Sequence, residues 1–160
     1  MVCILLALVG SHEVEAIEAT MDDIEVTFPG GKRVDARVGE FVVHTDQPAT
    51  HGGGGSAVAP FDLFLASLAT CAGIYVLGFC QARGLSTEGL GIRQHVEVDA
   101  ATKLPSTIRL ELVLPPSFPE KYRSAVMRAA EGCKVKKTLA APPTMEVVVA
   151  TSEPTLAQAS

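Results

Sequence analysis

The sequence predicts an α+β protein, with short antiparallel strands set around one long central helix. Three observations carry this reading: two-residue apolar alternation on both sides of the chain's middle, one apolar run of helical length, and an amphipathic helical pattern in the last third. At 160 residues and 48% apolar side chains, the chain is long enough for one domain with a proper core. Thirteen Lys and Arg against eighteen Asp and Glu give a net charge of -5, and no long basic run offsets it. That balance argues against a nucleic-acid partner.

The elements follow in order. Ile24, Val26 and Phe28 alternate on one face, Pro29-Gly30-Gly31 turns the chain, and Val34, Ala36 and Val38 continue at the same period, which predicts a hairpin. Phe41 to Thr45 makes a third strand, and residues 46–58, rich in Gly, form a loop. Pro60 suits the first turn of a helix, Asp62 complements its positive end, and Gly84 stops it after about 22 residues. Strands are expected near Ile92 to Val98 and Ile108 to Val113. Ser117 and Glu120 have capping-box spacing, and Tyr122, Ala125, Val126, Ala129, Ala130 and Cys133 recur at helical spacing up to a break at Gly132. A turn or short helix from Lys134 to Ala140 leads through Pro142-Pro143 to a last strand, Met145 to Val149.

These elements make one domain over residues 21–151, followed by a polar tail at 152–160. Residues 2–9 have the apolar core of a signal peptide, but no Lys or Arg precedes them, and Glu13 and Glu15 lie near any cleavage point. With Met21 as an alternative start, residues 1–20 read as an N-terminal extension, and nothing is built on Cys3.

From Gln47 to Ala82 the only formally charged side chain is Asp62. The apolar helix inside this stretch is long enough for a membrane span. Its Ser67, Thr70, Gly73, Gly78 and Gln81, its β-rich flanks, and the lack of interfacial Trp or basic clusters argue against one. A helix apolar on all faces must then be covered on all faces. Ala66, Ala69, Gly73 and Cys80 form a stripe of small residues that admits a close neighbour, while Phe64, Ser67, Leu68, Ile74, Tyr75 and Gly78 surround Cys71. A few strands cannot cover both sides, so the expectation is an obligate homodimer with this helix near the interface.

Cys3, Cys71, Cys80 and Cys133 lie too far apart for a zinc site built on close pairs or for a disulfide scaffold. Cys71 sits about three turns into its helix, where that helix's dipole does little for it. Cys80, nine residues on, reads as a buried structural thiol. Cys133 opens a helical turn and precedes Lys134, Lys136 and Lys137, surroundings that lower a thiol pKa. If the fold brings Cys71 and Cys133 together, they supply the two thiols of a peroxidase. His12, His44, His51 and His95 show no metal-ligand spacing, so no metal or other cofactor is expected. Gly52 to Gly55 lacks the Lys-Ser/Thr of a phosphate cradle, and no Gly-x-Ser-x-Gly elbow occurs.

The run Pro60-Phe61-Asp62-Leu63-Phe64-Leu65-Ala66-Ser67-Leu68-Ala69-Thr70-Cys71 resembles the helix that carries the first cysteine of the OsmC/Ohr family. Cys133-Lys134-Val135-Lys136-Lys137-Thr138-Leu139 resembles its second cysteine motif. The resemblance implies an intertwined homodimer with paired central helices and active sites at the interface. It implies a cytoplasmic thiol-dependent peroxidase acting on small, preferably organic, hydroperoxides and recycled by a dithiol such as a dihydrolipoyl group. Cys71 would be peroxidatic and Cys133 resolving, with Phe61 and Phe64 at the pocket. Where family members carry a Glu after the motif proline, this chain has Phe61. The candidate activators are therefore Asp62, Arg33, Arg37 and His51. Two other readings use the same residues: a non-catalytic dimeric module binding a hydrophobic or thiol-bearing ligand, and another thiol transfer, such as the handling of persulfides.

Overall fold

The computed structural model describes residues 23–149, so the N-terminal extension with Cys3 and the polar tail lie outside the described residues. The described chain forms two compact units, one ending at Ala59 and one beginning at Pro60.

The first unit is a three-stranded antiparallel sheet in the order β1 (Ile24–Gly30), β2 (Arg33–Val38), β3 (Phe41–Thr45). Ile24 pairs with Val38, which pairs with Phe41, and Val26 pairs with Ala36, which pairs with Val43, so the expected alternation puts one apolar row on one face. The opposite face carries Asp35 between Arg33 and His44. Arg33 approaches its carboxylate at 3.2 Å and the His44 Nδ1 at 2.8 Å. The loop after β3 contains only one 3-10 turn, Ala49–His51. It is organised by the buried Asp46, whose carboxylate accepts hydrogen bonds from the N–H groups of Gln47, Gly54 and Ser56 and from the Ser56 hydroxyl. Those bonds, led by the ones from Ser56, hold the Asp46 carboxyl below its ordinary range.

The second unit is built on α1 (Pro60–Gln81), which begins at the expected proline and carries Asp62 in its first turn. It ends in a Schellman turn: Gly84 is left-handed at φ 62°, and the Leu85 N–H reaches the Cys80 carbonyl at 3.0 Å. Strands β4 (Gly91–Val98) and β5 (Pro105–Val113) form a second, two-stranded antiparallel sheet, pairing Ile92 with Leu112 and Val96 with Ile108. A 3-10 turn at Glu120–Tyr122 leads into α2 (Arg123–Glu131), and α3 (Lys134–Ala140) follows directly. Leu68, Ala72, Val76 and Cys80 form the buried stripe of α1. They pack with Phe118, Val126, Ala130 and Cys133, and the sheet side chains Ile92, Ile108, Leu110 and Leu112 lie against this core.

Two local expectations fail. The Ser117–Glu120 capping box does not form: α2 starts at Arg123 without a side-chain cap, and Glu120 instead pairs with Arg123 at 2.7 Å. Residues 145–149 make no strand, because Met145, Val147, Val148 and Val149 have no neighbouring strand among the described residues to pair with and stand exposed. Among the described residues, α1 alone is long and apolar enough to cross a bilayer, and here it packs against α2, α3 and β4.

Candidate active site

Two segments of the second unit meet at the candidate site: the middle of α1, which carries Cys71, and the corner between α2 and α3, which carries Cys133. Cys71 is partly buried, while Cys133 is fully buried. Gly132 closes α2 with its N–H on the Ala129 carbonyl at 3.0 Å, and the chain then leaves the helical conformation for a single residue. That residue, Cys133, is the N-cap of α3. Its sulfur accepts the Lys136 N–H at 3.5 Å, the place an N-cap oxygen usually takes. Its S–H points to the Leu68 carbonyl at 3.8 Å, which fixes the corner against α1.

The thiols differ in acidity, and the order reverses what the basic sequence around Cys133 suggests. The backbone N–H of Val135 holds the Cys71 thiol below its ordinary range. The neighbouring Cys133 side chain, the Lys134 N–H and the Lys134 charge add to this against the opposing effect of burial. Burial pushes the Cys133 thiol up, and the neighbouring Cys71 adds to the rise. The first turn of α3 therefore lowers the pKa of the cysteine across from it, while at Cys133 burial outweighs the N–H groups of Lys136 and Val135. Cys80 is the structural thiol expected, buried and with its pKa raised.

The other sequence candidates fall in different places. Asp62 lies in the first turn of α1, where Phe61 and Phe64 pack with ring centroids 5.7 Å apart and planes tilted by 32°. Arg33, Arg37 and His51 all belong to the first unit. Arg33 is paired with Asp35, Arg37 lies between Glu25 and Val42 in the sheet register, and His51 ends the 3-10 turn. An apolar cavity of about 310 Å³ lies among α1, β5, α2 and α3. Leu68, Leu110, Leu112 and Met127 line it, with Glu131 and Lys136 at its polar part. Among the described residues no cluster of three His, Cys, Asp or Glu side chains could hold a metal ion.

Sequence reasoning missed the donors that matter most, the N–H groups of Val135 and Lys134. A cysteine followed by a helix start was the available signal, but it had to be read toward the facing helix. The Asp46 clamp and the Asp35–His44 pair were also missed. An Asp just before a Gly/Ser loop is the usual signature of such a clamp.

Comparison with known proteins agrees with this architecture. The fold matches a crystal structure from Psychrobacter arcticus, described as an osmotic-stress-induced and detoxification response protein, with a TM-score of 0.65 and 22% identity, over 77% of this chain and 91% of that one. It also matches an OsmC-like protein from Mycoplasma pneumoniae, with a TM-score of 0.61 and 15% identity, over 78% and 89% of the two chains. A hypothetical protein from Aquifex aeolicus matches with a TM-score of 0.57 and 12% identity, over 78% and 90%. No curated protein sequence matches significantly. The family model for OsmC-like proteins matches residues 53–148, more than half of the chain and the whole span holding both cysteines, and the chain therefore belongs to the OsmC-like family.

Proposed function

We propose that the protein is a two-cysteine, thiol-dependent hydroperoxide reductase that prefers organic hydroperoxides, works as a cytoplasmic homodimer and is recycled by a dithiol such as a dihydrolipoyl group. One observation carries the reading: a partly exposed thiol with a lowered pKa faces the start of α3, with a second, buried thiol as its neighbour. The Cys71 thiolate attacks the terminal oxygen of the hydroperoxide. An S–O bond forms, the O–O bond breaks, and the alcohol leaves after taking up a proton. Cys133 then attacks the Cys71 sulfenic acid, and its proton departs with the hydroxide as water, leaving a Cys71–Cys133 disulfide. A dithiol returns both cysteines to thiols and is itself oxidised. The apolar cavity beside the α2–α3 corner, lined by Leu68, Leu110, Leu112 and Met127, offers room for the alkyl group of an organic hydroperoxide.

The test is to treat the reduced protein with cumene or tert-butyl hydroperoxide and map its disulfides. A Cys71–Cys133 bond is expected, and Cys71→Ser should abolish peroxide consumption. If neither thiol oxidises faster than free cysteine, the proposal is wrong. A second reading, a dimeric module binding a hydrophobic or thiol-bearing ligand, is favoured by Phe61 standing where an acid would be expected. A small molecule retained in native mass spectrometry, together with inert thiols, would support it instead.

A further inference from the structure

The seam between α1 and the α2–α3 corner holds one contact that the proposed chemistry has not used. Leu68, Cys71 and Tyr75 lie along one side of α1 at three- and four-residue spacing. Leu68 meets the Cys133 sulfur, Cys71 faces the start of α3, whose Val135 and Lys134 N–H groups lower its pKa, and Tyr75 meets Gly132. A Cβ added at Gly132 would lie 3.2 Å from Cδ1 and 3.3 Å from Cε1 of the Tyr75 ring, and 3.1 Å from the Ala129 carbonyl. Gly132 has an ordinary right-handed conformation, φ -68° and ψ -6°, so its backbone does not require glycine. What an added Cβ would meet is the ring of Tyr75, which would have to give by a few tenths of an ångström. Cys133 comes next in the chain and the α3 donors immediately after it, so the thickness of that ring decides how close α3 starts to α1.

We propose that Tyr75 is a positioning residue: its ring, seated on the bare backbone of Gly132, sets the distance at which the first turn of α3 and Cys133 face Cys71. Two changes move that distance in opposite directions. A methyl group at residue 132 pushes the corner outward, and loss of the ring lets it tilt inward. The pull of the α3 N–H groups on the Cys71 sulfur weakens in either case, because it depends on distance and alignment. The role bears on the peroxidase reading but concerns the ground-state geometry of the thiols, and so can be measured without peroxide.

The experiment follows alkylation of Cys71 against pH in the reduced full-length protein, resolved by peptide mass spectrometry so that the other cysteines do not interfere. Gly132→Ala should move the Cys71 profile upward by about half to one pH unit, a roughly three- to tenfold slower reaction at neutral pH. Adding Tyr75→Leu to Gly132→Ala should recover most of that loss. If Gly132→Ala does not fold, Tyr75→Ala and Tyr75→Phe decide the matter: the Ala variant should be slowed and the Phe variant, which retains the ring, should restore the profile. A Gly132→Ala profile that superimposes on the wild type, a double variant as slow as the single one, or an unshifted Tyr75→Ala profile overturns the proposal. A wild-type protein inert to peroxide would refute the peroxidase reading and leave this comparison intact.

Discussion

At Cys71 the principal donor is a backbone group, and this ranks the effects of substitutions around it. The Val135 N–H contributes most to the lowered pKa, and the Lys134 charge comes last among the groups that lower it. Val135→Pro deletes that N–H in the first turn of α3, where no carbonyl within the helix needs it. It should slow Cys71 alkylation at neutral pH roughly tenfold, whereas Lys134→Ala should slow it by no more than about threefold. The sign follows from the reactive form, the thiolate. Reactivity is retained below the unperturbed pKa of about 8.5 and is lost as pH falls through the lowered Cys71 value. Equal losses in the two variants would show that the lysine charge, not the helix start, sets the thiol. Both cysteines are legible in the sequence. Which of them α3 would activate was not, because that depends on Cys133 being sealed beneath Leu68 while Cys71 stays partly open.

The elements owe their positions to the buried stripe of α1. Val126 is fully enclosed against it and anchors α2, and α2 in turn carries the corner that holds Cys133. Val126→Ala removes two buried methyl groups and leaves a void. The expected cost is about 2 kcal/mol, read as a lower midpoint in urea with an unchanged slope. A loss below about 0.5 kcal/mol would mean that α2 is held by other contacts. Most elements were readable because their periodicity is local: Ile24 to Phe28, Ile92 to Val98 and the α2 pattern each declare a period within a few residues. Residues 145–149 carried the same β-branched signal and make no strand. β propensity describes fitness for a pleated surface, and pairing needs a neighbour that the sequence of one segment cannot supply. The capping box failed for a related reason, since Glu120 had a better charge partner in Arg123.

At the scale of the whole molecule, α1 remains half a solution. Its buried stripe runs through Leu68, Ala72, Val76 and Cys80, but Leu63, Ala66, Thr70, Ile74 and Leu77 fall on the opposite side at about 100° per residue and are all exposed. The small-residue stripe expected from the sequence therefore divides: Cys80 turns into the chain's own core, while Ala66 joins the exposed face. An uncovered apolar helix face of about four turns costs free energy in water, and a second copy of the same face, nearly uncharged, offers an isologous cover. Cys71 lies between the buried and the uncovered sides of the helix, so a partner seated on that face would flank the thiol and exclude water from it. Light scattering coupled to size exclusion should give a dimeric mass for the wild type. Ile74→Glu places a charge at the centre of the uncovered stripe without entering the core, and it should yield monomers whose helical circular dichroism is retained. A monomeric wild type, or an Ile74→Glu variant that still dimerises with undiminished affinity, would move the interface away from α1.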